Sequence, residues 1–190
     1  MDRLVPLLYQ SNSNIIKEAL WCFSNITAGP PSQVEQLVKN DAFERIFILT
    51  DSRNIDIRKE SLFVLINAIT GCDQKVLSMI YDQCQKSLFI RILKALNFQD
   101  LKLQLQAVDA IDCLLSLDAW YGTEGTDKSM FVVFEEADGV GALEETMKNP
   151  SMDLYNKCNA ILNKYSALFS NDGNNDMIDT TDNTFGGSRF

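Results

Sequence analysis

The sequence contains no histidine. That absence removes Ser-His-Asp and Cys-His nucleophile pairs, histidine metal sites and histidine as a proton shuttle near neutral pH. No uninterrupted apolar run reaches the ~18 residues that a membrane span requires, and no signal-peptide pattern is read. Cysteine is sparse and odd in number: Cys22, Cys72, Cys84, Cys113 and Cys158 form no C-x-x-C pair. Three of them sit in apolar, helix-like runs, so they read as buried reduced thiols rather than redox-active ones. A reducing compartment, cytosol or nucleus, follows, and no cofactor or metal is expected. Positive charge is also short. Seventeen Lys and Arg against 26 Asp and Glu leave a net charge of −9. This disfavours a nucleic-acid backbone as partner and favours a basic one.

What is present is helical. The chain has 190 residues, 46% of them hydrophobic, enough for a sizeable core. Alternating apolar and polar strands are absent, whereas apolar faces of period 3.6 recur along most of the length, so the class is all-α. The four prolines act as punctuation. In Pro30-Pro31-Ser32-Gln33-Val34-Glu35 the Ser and Glu are spaced as a capping box, which predicts a helix start. Pro150 with Ser151 and Asp153 predicts another, while Thr50 to Asn54 and Asn97 to Asp100 read as short turns.

The chain also repeats itself. Ile15 to Asn25 (IIKEALWCFSN) lies over Ile57 to Asn67 (IRKESLFVLIN), a weaker copy runs from Leu103 to Cys113, and a fourth from Leu154 to Lys164. A small residue recurs at the fifth place of each copy: Ala19, Ser61, Ala107 and Cys158. Two shorter helical runs separate successive copies: Gln33–Asn40 and Ala42–Thr50, Gln74–Gln85 and Leu88–Leu96, Ser129–Ala137 and Val140–Lys148. Three helices in about 42 residues is the armadillo-type unit, which buries its apolar face only by stacking on neighbours. The reading is an armadillo-type right-handed α-solenoid over residues 1–169, about four repeats with an incomplete first unit. Its third helices are expected near 14–27, 55–70, 101–116 and 152–169. Met1 to Tyr9 reads as the second helix of a repeat that lacks its first, so a longer array is expected upstream. Residues 170–190, with four Asp against one Arg, are expected to be a disordered acidic tail.

On a helix, residues three, four and seven apart share a face. Glu18, Trp21 and Asn25 therefore form one stripe, and Glu60, Phe63 and Asn67 a second. Stacked third helices set such stripes roughly 10 Å apart, a distance that an extended peptide covers in about three residues. Asn supplies an acceptor and two donors for a peptide backbone. An indole face accepts a Lys or Arg stem and its charge, worth ~0.5–2 kcal/mol, and the nearby carboxylate neutralises the cation. A lone Trp on an amphipathic helix is more often core. The recurring aromatic/Asn pair, with Asn unfavourable inside a helix, is what argues for a groove.

Residues 16–29 (IKEALWCFSNITAG) resemble the third helix of importin-α, the armadillo adaptor for proteins with basic nuclear localisation signals. The resemblance continues through Ile57–Gly71, through Phe134 to Gly139 (FEEADG) and into Leu154 to Lys157. It implies a nuclear import adaptor, present in cytoplasm and nucleus, that binds Lys/Arg-rich signals on its concave face. Glu18, Trp21, Ser24, Asn25, Glu60, Phe63 and Asn67 would belong to the minor site. It implies further that the last repeats, with Glu135, Glu136 and Asp138, contact the recycling exportin. Importin-β would be reached only through a basic N-terminal segment absent from this sequence, and neither nucleic acid nor membrane is an expected partner. Phe63 stands where the family has Trp, and Asp109 and Cys113 interrupt the third copy, so only about one and a half rungs are expected.

Other readings stay open. A catenin-like scaffold is the main rival; its grooves are usually basic, whereas Glu18, Glu60, Asp109 and Asp112 are expected to line this one. Catalysis is disfavoured because Glu135/Glu136 and Glu144/Glu145 are adjacent in sequence and diverge around a helix. A structural fragment with a vestigial groove is the third. Within Leu117–Asp127, Trp120 and Tyr121 either pack on the solenoid, the preferred reading, or stand exposed as a partner anchor.

Overall fold

The structure, a computed structural model, describes residues 3–124 and 126–169; the expected tail at 170–190 lies outside them. Regular structure among the described residues is helical throughout. A 3-10 turn over Val5–Tyr9 leads into α1 (Ser13–Thr27), α2 (Pro31–Val38), α3 (Asp41–Leu49) and α4 (Ile55–Gly71). Then come α5 (Gln74–Cys84), α6 (Lys86–Leu96), α7 (Leu101–Leu115) and the short α8 (Leu117–Tyr121). The last described elements are α9 (Met130–Glu136), α10 (Gly139–Thr146) and α11 (Met152–Phe169).

Side-chain caps set most of the helix starts. The carboxamide oxygen of Asn12 accepts the Asn14 N–H at 2.9 Å to open α1. Asn40 caps α3 through Ala42, and Asn54 caps α4 through Asp56 and Ile57. Asp73 and Asp100 do the same for α5 and α7. Each such cap contributes about 1 kcal/mol by satisfying an N–H that the helix itself leaves open. The expected capping box does not form. Pro30 occupies the cap position of α2 with no side-chain bond, and Glu35 instead takes Lys39 at 2.8 Å and Lys75 at 3.6 Å. The two prolines already fix the entry, and the carboxylate gains more from two ammonium groups. The expected helix over residues 1–9 is reduced to the 3-10 turn, with a Pro in its first positions.

The long helices α1, α4, α7 and α11 pack on one another in series. The middle helices α3, α6 and α10 brace α4, α7 and α11, while α2, α5 and α8 form a second consecutive row. Helix α4 is enclosed on several sides, which explains why its apolar residues nearly encircle it: Ile57, Leu62, Val64, Leu65, Ile66, Ala68 and Ile69 are all buried. The small residues Ala19, Ser61, Ala107 and Cys158 are buried as well, so close helix approach is bought with missing side-chain bulk. Phe23, Phe43, Phe89 and Phe134 are the largest fully buried side chains, each stabilising the array by roughly 1.5–3 kcal/mol through apolar burial.

The long connection after α7 is closed by a buried carboxylate. Asp118 is 1% exposed and accepts hydrogen bonds from Ser129 Oγ at 2.6 Å, Met130 N at 2.5 Å and Thr123 Oγ1 at 2.7 Å. It thereby joins α8 to the start of α9. The two aromatic residues of this segment divide their roles. Tyr121 lies against Tyr81 and donates its hydroxyl to Asp82 at 2.9 Å, whereas Trp120 is half exposed. The expectation that both pack on the solenoid is therefore corrected for Trp120.

Candidate functional site

Serial stacking of α1, α4 and α7 brings the two sequence stripes together. Trp21, Ser24 and Asn25 of α1 and Glu60, Phe63 and Asn67 of α4 line one open cleft of about 400 Å³, closed on its far side by Lys102 and Gln106 of α7. Trp21 is 57% exposed and stands on the open face of α1, opposite the buried Ile16, Leu20 and Phe23. Its backbone carbonyl accepts both the Ser24 hydroxyl at 3.1 Å and the Asn25 amide at 3.0 Å. Asn67 reaches across to α1 and donates to the Ser24 carbonyl at 3.2 Å. One N–H of each amide is thus spent on fixing the side chain, and the second N–H and the carbonyl oxygen are what a ligand would meet.

Gln106 adds an unmet demand. Its side-chain oxygen is buried at the cleft wall with no hydrogen-bond partner among the described residues. A buried acceptor left this way costs about 1–3 kcal/mol until a donor arrives.

The charges are distributed unevenly. Glu60 is partly buried, and desolvation raises its carboxyl above the usual range; nearby Asp56 and Glu18 push the same way, against Lys59 and Lys17. A cation arriving beside it would relieve that penalty. Phe63 is already attended by the chain's own cations. Lys102 Nζ stands 5.9 Å and Lys59 Nζ 6.0 Å from its ring centre, and Lys59 is also paired with Asp100 at 2.5 Å. Further along, Asp109 is paired with Lys157, and Asp112 with Lys164 and the Tyr165 hydroxyl, both at 3.1 Å. The expectation that Asp109 and Asp112 make the groove acidic is corrected: α11 neutralises them.

Glu18 does not line this cleft. It is exposed on the neighbouring flank of α1, beside an apolar groove that includes Leu4, Leu7 and Ile15. Glu135 and Glu136 are exposed at the end of α9, Glu136 paired with Lys86 at 3.0 Å. Asp138, in the left-handed region at φ 62°, opens α10 and borders a separate cleft with Gln104 and Asn149. The structure does not bring these three acids to the Trp21 cleft.

Lys102, Gln106 and the small Ala28 are the lining residues that sequence reasoning missed. Gln106 had a signal, because it occupies the place in the third copy that Glu18 and Glu60 hold in the first two. Lys102 precedes its copy and had none. Three of the thiols are held protonated: burial pushes Cys72 and Cys84 up to about 12 and Cys158 to about 11. Among the described residues no cluster of three His, Cys, Asp or Glu is placed to hold a metal ion, and no helix is long and apolar enough to cross a membrane.

Comparison with known proteins agrees with this architecture. A designed armadillo repeat protein solved in complex with peptide (KR)4 superposes with a TM-score of 0.65 at 22% identity, over 85% of this chain and 62% of that one. A second designed armadillo repeat protein gives 0.66 at 21% identity, over 84% and 62%. A structure of computationally designed armadillo repeat proteins for modular peptide recognition gives 0.66 at 15%, over 87% and 69%. The chain spans about three fifths of the length of the first two. No curated protein sequence matches it. Residues 1–28 match the armadillo/beta-catenin-like repeat, and the chain as a whole shares the helical solenoid fold of these armadillo structures.

Proposed function

We propose that the chain binds an extended, Lys/Arg-containing peptide across α1 and α4, with one cation seated on Trp21 and the peptide backbone held by Asn25 and Asn67. The observation that carries this reading is the convergence of Trp21, Asn25, Phe63, Asn67 and the unsatisfied Gln106 oxygen on one cleft. The (KR)4 ligand of the designed relative supports it, since that protein shares the fold. In the finer form of the proposal, the chain is the C-terminal part of an importin-α-like nuclear import adaptor. The cleft is then a minor site for basic nuclear localisation signals, and the protein works in cytoplasm and nucleus without catalysing a reaction. In that form Glu135, Glu136 and Asp138 face the recycling exportin, and Glu18 acts on a bound cation only from a distance.

Fluorescence anisotropy with a labelled (Lys-Arg)4 peptide, at low and physiological salt, tests the binding claim. The paired substitution Trp21→Ala with Asn25→Ala should weaken binding by at least about tenfold, since a desolvated cation–π contact and an amide clamp are lost together. Unchanged affinity would sink it. For the exportin face, Glu135→Lys with Glu136→Lys should abolish exportin pull-down; retention would end that part alone. A second reading, an armadillo scaffold for a peptide of mixed charge, is favoured by the lysines beside Phe63.

A further inference from the structure

We propose that the cleft between the α3–α4 and α6–α7 turns binds a phosphorylated Ser or Thr side chain carried on an extended peptide. This open space is about 700 Å³, larger than the Trp21 cleft. Arg53, Arg58 and Lys94 supply cations, Ile55 and Phe98 an apolar wall, and Asp51 a carboxylate. Asp51 offsets only part of this charge, and Arg53 and Arg58 have no ion pair among the described residues. The Asp51 carboxylate is taken by Lys94 at 2.5 Å and by Arg91 behind it. Among the lining residues three cations face one acid, 3 − 1 = +2, on a chain whose net charge is −9.

The cations are built in rather than scattered. Arg58 donates its Nε–H to the Ser52 carbonyl at 3.0 Å, which holds the guanidinium at the cleft and leaves its terminal N–H groups to a ligand. Arg91 Nε is buried with no acceptor among the described residues. Burial and the charges of Arg91 and Arg58 lower the Lys94 ammonium below the usual lysine range, so the cluster is crowded even with Asp51 in place. The N-termini of α4 and α7 border the same cleft, but each carries its own carboxylate, Asp56 in the first turn of α4 and Asp100 at the cap of α7, so the positive charge of the cleft comes from its side chains.

A phosphate monoester suits this site better than a carboxylate. It carries nearly two charges and three acceptor oxygens, matching a surplus of cations with several unused N–H groups. The peptide carrier follows from the remaining space: phosphate alone leaves most of the cleft empty, while Ile55, 61% exposed, and Phe98 offer a wall for a flanking apolar side chain. A nucleic-acid strand is disfavoured, because the positive zone is one cleft wide on an acidic chain.

The test uses the full chain and a labelled phosphoserine peptide with Leu beside the phosphoserine, read by anisotropy. The phosphopeptide should bind at least about tenfold more tightly than its unphosphorylated form, as expected for loss of charge-assisted hydrogen bonds. Arg53→Gln with Lys94→Gln should remove that preference, and Arg53→Glu alone, at an exposed position that leaves the core intact, should reduce it. Unlabelled (Lys-Arg)4 should not compete. Equal binding of both peptides, a preference that survives both variants, or displacement by (Lys-Arg)4 would overturn the proposal. So would inorganic phosphate binding as tightly as the peptide, or single-stranded DNA binding more tightly with the same dependence on Arg53.

Discussion

Lys102 should limit how basic a peptide the groove accepts. Its ammonium lies 5.9 Å from the centre of the Phe63 ring, so a second peptide cation seated on that ring would stand about 6–8 Å from it. At the dielectric of water, suited to an exposed lysine in an open cleft, the repulsion is ~0.6 kcal/mol. Lys102→Ala should therefore tighten (Lys-Arg)4 binding about threefold at low salt. Lys102→Glu turns repulsion into attraction of similar size, ~1.2 kcal/mol in all, or about eightfold. At physiological salt the Debye length is ~8 Å, comparable with the separation, and the charge-reversal gain should shrink to about twofold. Anisotropy titrations at both salts measure this directly. A peptide with a single Arg, which needs only the Trp21 position, serves as the comparison and should gain much less. No gain for (Lys-Arg)4 at low salt, or an equal gain for the single-Arg peptide, would refute the assignment of Phe63 as a second cation position occupied by Lys102.

Asp118→Ala should destabilise the chain by about 3 kcal/mol in urea denaturation, because three donors around one buried carboxylate lose their acceptor together; a loss under about 1 kcal/mol would mean that the segment is held by other contacts. Gln85→Gly should stabilise by about 1 kcal/mol in the same assay, since Gln85 joins α5 to α6 at φ 50°, ψ −145°, a region that suits glycine. Glu60→Gln should stabilise the protein at pH 7 and not at strongly acidic pH. A carboxyl whose folded pKa is raised imposes its penalty as pH climbs from the unfolded value through the raised one. Thermal melting across that pH range should show the gain appearing in that window; a gain that is constant down to low pH would point to packing instead.

The all-helical class was legible because its signals are local. Apolar residues at helical spacing and a small residue at one place in each copy are each readable without knowing what lies opposite. The features that were not legible depend on partners far along the chain. Glu35 reads as a capping residue until Lys75 of the next repeat is seen beside it. Asp109 and Asp112 read as groove acids until α11 delivers Lys157 and Lys164. Here the repeat register held more than was taken from it. The place of Glu18 and Glu60 is occupied by Gln106 in the third copy and Lys157 in the fourth, so the face changes from acidic to basic along the array. That progression accounts for the closed far end, where Lys157 pairs with Asp109. Lys102 lies one residue before its copy and is placed by stacking alone.

The chain has two tryptophans, each about half exposed, one in the cleft and one on α8 well away in sequence. Their indole N–H resonances give two reporters in one titration. When (Lys-Arg)4 is added, the Trp21 indole signal should shift in proportion to occupancy while that of Trp120 stays still. A peptide that binds and moves Trp120 alone, or neither indole, would contradict the groove.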